Sequence, residues 1–232
     1  MSPAKRATAG RAPGKANLPA SATVLQGRGD DTAKRIVDVA ALLFKEHGYE
    51  GVTMNSIARA IGISAPALYW HFASKEDICL AFLQRMAEAL LETIDTSVTA
   101  SDPREQLREF VSAHVLHQFR YYEQEEGFQA LYNYGQFRAK LSPEKRAELD
   151  QLHDRLTGKL RTIIRTGMKQ KLFLVDDVVA TTYAVLSLGE FVTSWFKPGG
   201  RLTLSQISEH HAALALRMVG ICDGDGRDAN AR

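Results

Sequence analysis

The chain has 232 residues, 45% hydrophobic and 24% charged, with a formal net charge of +2. This composition buries one ordinary core with a small head domain attached, and it excludes a polycation. Two cysteines, Cys79 and Cys222, stand far apart and in no CxxC pattern, which argues against a disulfide framework or a thiolate zinc site and fits a reducing cytoplasm.

Residues 1–29 are Ala, Pro, Gly and basic residues without periodicity, and they read as a disordered basic tail. Lys5, Arg6, Arg11, Lys15 and Arg28 all precede the first acid, Asp30. A solvated tail and a basic arm that touches DNA both fit this pattern. No apolar stretch follows the basic start, so no signal peptide is expected. The first helix begins at Asp31 or Thr32. Ile36, Ala40, Leu43, Phe44 and His47 follow its 3.6-residue period, and Gly48 stops it. A second, short helix follows the N-cap Thr53, with Ile57, Ala58 and Ile61 on its apolar face and Gly62 at its end. Ser64 caps a third, Ala65 to Phe72, with Pro66 in the first turn, where a missing N–H does no harm. Leu68 and Phe72 turn inward at i and i+4, leaving Ala65, Pro66, Ala67, Tyr69, Trp70 and His71 for other faces. Two short helices around a glycine turn, the second rich in aromatics, outline a helix-turn-helix DNA reader.

Helix signals then continue to the end of the chain. Ser74 to Asp77 opens a long helix through Ile78, Phe82, Met86 and Leu90, and Asp102-Pro103 opens the next, with Leu107, Val111, His114, Val115 and Gln118 on one face. Another is expected from Phe128 to Lys140, and Ser142-Pro143-Glu144 starts a long one through Leu149, Leu156, Leu160 and Ile164. Asp176 or Asp177 caps a helix running from Val178 to Phe196, apolar almost all round. It is nearly long enough to span a bilayer, but its acid caps and Glu190 argue against membrane insertion, so no membrane partner is expected. A helix apolar on every side needs burial on every side, and a second copy of the chain supplies it, packed through the last two helices. The final helix follows the capping box Thr203 to Gln206 and carries Ala212, Ala213 and Ala215 for close approach. The fold class is therefore all-α, with about nine helices: a helix-turn-helix head at 30–76, a ligand-binding and dimerisation bundle at 77–221, and a fraying tail at 222–232.

The segment resembles the DNA-binding head of TetR-type (tetracycline-repressor-like) transcriptional regulators. Leu43, Phe44, Gly48, Tyr49, Thr53, Ile57, Ala58, Gly62, Leu68, Tyr69, His71, Phe72 and Lys75 match that family's pattern in order and spacing, over roughly residues 32–82. The resemblance implies a cytoplasmic homodimer on double-stranded operator DNA with an inverted repeat. Its phosphate contacts map to Thr53, Tyr69, His71 and Lys75, and its base-reading positions to Asn55, Ala65, Pro66, Ala67 and Trp70, behind the cap Ser64. Ala65 and Ala67 stand where many relatives carry polar residues. Thymine methyls are then the natural apolar target, with Asn55 and Arg59 on the preceding helix supplying polar readout.

The resemblance also implies a small-molecule effector among the central helices. Met86, Leu90, Phe110, His114, His117, Tyr121, Tyr132, Tyr134, Phe137, Arg138 and Trp195 are the candidate lining, each also suited to core packing. His114 and His117 stand at i and i+3, a chelating spacing without a third ligand in register, so neither metal nor cofactor is expected. The run TSWFKPGGRLT before the last helix is similar to the C-terminal signature of a subgroup that senses acyl-CoA or steroid-derived CoA thioesters, with Arg138, Lys197 and Arg201 as candidate phosphate partners. A drug-responsive regulator of an efflux operon is the alternative, and an enzyme or ligand carrier on a helical bundle is a distant one. No P-loop, GxSxG or strand-borne GxGxxG supports an enzyme.

Overall fold

The computed structural model describes residues 29–123, 135–190, 192–197 and 199–220. Most of both tails, Tyr132, Tyr134 and the first part of the helix expected at 128–140 lie outside them, and the described remainder of that helix is one turn at 135–138. Nine helices are found among the described residues: α1 (Gly29–Gly51), α2 (Met54–Ile61), α3 (Ala65–His71), α4 (Lys75–Ser97), α5 (Pro103–Glu123), α6 (Pro143–Lys169), α7 (Val178–Glu190), α8 (Val192–Trp195) and α9 (Leu204–Met218).

The caps lie where the sequence places them. Gly48 breaks α1 with φ 69° and ψ 162°, and the last residues to Gly51 follow the kink. Ser74 accepts from the Asp77 N–H, Asp102 from the Arg104 N–H at 2.7 Å, Asp177 from the Ala180 N–H at 2.8 Å, and Thr203 closes a reciprocal box with Gln206. Each satisfies an orphan donor of a first turn. Where one helix is expected over 178–196, helix is described at 178–190 and 192–195, and Phe191 between them is outside the described residues.

Two apolar clusters divide the molecule. One joins Ile36, Phe44, Ile57, Leu68, Ile78 and Leu83 from the head with Phe137, Leu141 and Leu149 from beyond it. The other fills the body, with Leu107, Phe110, Leu160, Ile164, Val185 and Ala212 at its centre. The two clusters meet along α4. The first half of α4 packs in the head and its last turns, at Leu91 and Ile94, in the body. The seam is also polar: Lys140 pairs with Glu50 at 2.6 Å, Lys145 with Asp77 at 2.6 Å and Glu76 at 3.2 Å, and the Ser142 N–H donates to Glu76 at 2.5 Å. That backbone donor is the main reason the Glu76 carboxyl is held below its ordinary pKa.

In the body, α9 packs chiefly on α5, and α6 lies against α4, α5 and α7. Two glycines set the closest approaches. A Cβ on Gly167 would lie 2.1 Å from the Phe173 ring, and one on Gly189 would lie 2.8 Å from His114 Nδ1. No helix among the described residues is long and apolar enough to cross a membrane.

Candidate nucleic-acid interface and effector cleft

The head presents its third helix outward. Thr53 and Ser56 cap α2 reciprocally: the Thr53 hydroxyl accepts from the Ser56 N–H at 3.1 Å, and Ser56 Oγ accepts from the Thr53 N–H at 2.9 Å. Gly62 turns left-handed at φ 81° and ends α2, a conformation that costs a side-chain-bearing residue free energy. Ser64 then caps α3, accepting from the Ala67 N–H at 3.3 Å. Leu68 alone anchors α3, fully buried. Pro66 and Ala67 are exposed, Tyr69 is 52% exposed and Trp70 is 81% exposed, while Ala65 and His71 are half-buried. The Trp70 ring meets His71 edge-on, with centroids 4.8 Å apart. Asn55 and Arg59, one turn apart on α2, are exposed as well.

Lys75 is placed differently from the expectation. Its Nζ donates to the carbonyls of Tyr49 at 2.7 Å and Val52 at 2.9 Å, and it sits 4.0 Å from the Tyr49 ring centroid. The Tyr49 carbonyl also accepts from the Val52 N–H at 3.3 Å, so the lysine adds a second donor there and reaches the Val52 carbonyl just beyond the end of α1. Two of its three N–H donors thus tie the start of α4 to the segment that follows the kink of α1.

The expected effector lining is not brought together. Phe137 belongs to the head cluster, 5.7 Å from Phe44 and 6.3 Å from Phe82 between ring centroids, and Met86 packs against the same cluster. Arg138 is held by Asp150 through a forked pair with both Nη2 contacts at 2.7 Å. Trp195 lies at the far end of the chain, 53% exposed, stacked on His211 at 6.4 Å. Lys197 and Arg201 are exposed near it. Leu90 and Phe110 pack in the body core, Tyr121 is on the last turn of α5, and its side chain is outside what is described.

His114 and His117 are buried on α5: the Gln118 amide lies 3.1 Å from His114 Nε2, and Thr93 Oγ1 lies 2.9 Å from His117 Nδ1. Burial, reinforced by His117, pushes His114 down to about 4, so its ring is neutral at physiological pH. Among the described residues no group of three or more His, Cys, Asp or Glu could hold a metal.

A cleft of about 570 Å³ opens between the end of α4, Phe110 of α5 and the middle of α6. Ile94, Val98, Phe110 and Ile163 form its apolar floor, and Asp95, Arg155, Lys159 and Thr162 its rim. Lys159 is paired with Asp95 across the mouth. Gly158 lines the cleft in mid-helix, and a Cβ there would meet nothing within 4 Å. Glycine inside a helix costs roughly 1 kcal/mol against alanine, and here the chain's own packing does not require it. The sequence pointed to Phe110 alone of these residues, because a cleft across three helices leaves no periodic signal along any one of them.

The profile of bacterial regulatory proteins of the tetR family matches residues 36–82, and that of the tetracyclin repressor-like C-terminal domain matches residues 100–219. The HTH-type transcriptional repressor KstR2 of Rhodococcus jostii is 25% identical over 195 residues, covering 81% of this chain and 93% of its own. A TetR family transcriptional regulator, PfmR of Thermus thermophilus, superposes with a TM-score of 0.63 at 34% identity, over 79% of this chain and 97% of its own. AibR, solved in complex with isovaleryl coenzyme A and operator DNA, superposes with a TM-score of 0.66 at 27% identity, over 78% of this chain and 96% of its own. With a capped helix-turn-helix at one end and a helical body matched along its length, the chain belongs to the TetR family of bacterial transcriptional regulators.

Proposed function

We propose that this protein is a cytoplasmic, ligand-responsive repressor that binds an inverted-repeat operator as a homodimer and releases it when a CoA thioester binds the body. The observation that carries this reading is the span of α4. Ile78, Phe82 and Leu83 lie in the head core, and Ile94, Asp95 and Val98 line the cleft. A ligand that wedges the cleft moves one end of a helix whose other end is part of the DNA-binding head. By linkage, tenfold weaker operator binding needs only about 1.4 kcal/mol of differential affinity.

Thr53, Asn55, Ser64, Ala65, Pro66, Ala67, Tyr69, Trp70 and His71 form the DNA-facing set, without Lys75. The dimer forms through α7 and α9. Val185 faces the chain's own core, but Val179 is 47% and Tyr183 43% exposed, with Leu214 and Met218 exposed on α9, an apolar surface suited to a second copy. The ligand class rests on the apolar floor with Arg155 and Lys159 at its mouth, which suits an acyl chain with phosphates, and on the coenzyme A complex of AibR.

The test titrates a duplex selected by the protein, with fluorescence anisotropy as readout, against CoA thioesters, the matching free acids and cationic drugs. Thioesters are expected to release the duplex, and Gly158→Leu, which fills the cleft, to blunt release while leaving duplex affinity of the free protein within twofold. Release by drugs alone assigns the protein to efflux regulation.

A further inference from the structure

One exposed face of the recognition helix offers DNA almost no hydrogen bonds, while Tyr69 and His71 on the same helix carry polar groups suited to phosphates. Pro66, Ala67 and Trp70 stand at i, i+1 and i+4 of α3, so they share one face, and all are exposed while Leu68 opposite is fully buried. Proline and alanine carry no side-chain polar atom, and the indole carries a single donor, Nε1. No group on this face can make the bidentate contacts that identify guanine or adenine in the major groove. One major-groove feature is read without hydrogen bonds, the 5-methyl group of thymine. Trp70, 81% exposed and braced edge-on by His71 at 4.8 Å, is an apolar plane held out where such methyls lie.

We infer that the face Pro66, Ala67 and Trp70 of α3 reads its operator chiefly through thymine 5-methyl groups, with Trp70 as the main specificity-determining side chain. The inference rests on the operator-binding reading above. Each methyl buried against the face is an apolar transfer of about one methylene's worth, which is about fourfold in affinity. Asn55 and Arg59 on α2 read beside it by hydrogen bonding and do not depend on the methyl.

Duplexes enriched by the full-length chain from a random pool supply the probe. Within each half-site, thymines are replaced by uracil one at a time, which removes the methyl and keeps the Watson–Crick edge. Affinity is expected to fall about fourfold at one or more positions. A 5-methylcytosine·guanine pair at such a position should bind more tightly than cytosine·guanine, because it restores the methyl alone. Trp70→Ala, a change at an exposed site that leaves the thermal melt unchanged, should bind the thymine and uracil duplexes equally, whereas Asn55→Ala should keep the difference. Uracil duplexes bound as tightly as thymine ones, with wild-type discrimination between sequences intact, would overturn the methyl reading and leave operator binding standing. No enrichment of any duplex would overturn both.

Discussion

The head and the body build their surfaces in opposite ways. In the head, the helix caps pair residues three apart: Thr53 with Ser56, Ser64 with Ala67, Ser74 with Asp77. Its candidate interface is one continuous stretch, and apolar side chains are turned outward on it. In the body the decisive contacts join distant parts of the chain. His117 meets Thr93 from α4, and His114 lies against Gly189 from α7. The difference separates two kinds of legibility. A DNA-facing helix is written in consecutive residues, because one helix enters one groove. A ligand cleft is written in several helices at once.

The comparison is broken most strongly at a close approach in the body. Gly167→Ala places a methyl 2.1 Å from the Phe173 ring. Overpacking of this kind costs about 1–3 kcal/mol or more, and thermal melts should show a drop of several degrees without a change in helix content before melting. An unchanged melt would mean that the ring has room to move aside.

Lys75→Ala comes next and asks which side of the comparison this residue is on. As a clamp on the Tyr49 and Val52 carbonyls, its loss should cost about 2 kcal/mol of head stability, the usual size for charged hydrogen bonds. As a phosphate contact, it would leave the melt unchanged and lower the salt slope of duplex binding by about one. Chemical denaturation and a salt titration on the same variant separate the two.

The smallest effect is the pH dependence of His114. Its folded pKa of about 4 lies below the ordinary histidine value, so the unfolded chain takes up the proton first. The stability present above pH 6.5 should therefore fall as the pH drops from about 6.5 through about 4. His114→Gln keeps a polar side chain without that proton, and its denaturation midpoints should be flatter over the same window.

The amino-acid sequence by itself determined the all-helical class, the caps at Thr53, Ser64, Ser142 and Thr203, the glycine turn at Gly62 and the outward aromatics of α3. These follow from spacings of three or four residues, which backbone geometry fixes locally. It also carried enough of the family pattern to place the head. Only the tertiary structure decided that Phe137 packs in the head cluster, that Arg138 is held by Asp150, and that the cleft belongs to Ile94, Val98, Phe110, Gly158 and Ile163. The physical reason is that an aromatic or a charge at helical spacing is compatible with many neighbours. Which neighbour it meets depends on how the helices cross, and burial by elements far away in the chain makes that choice.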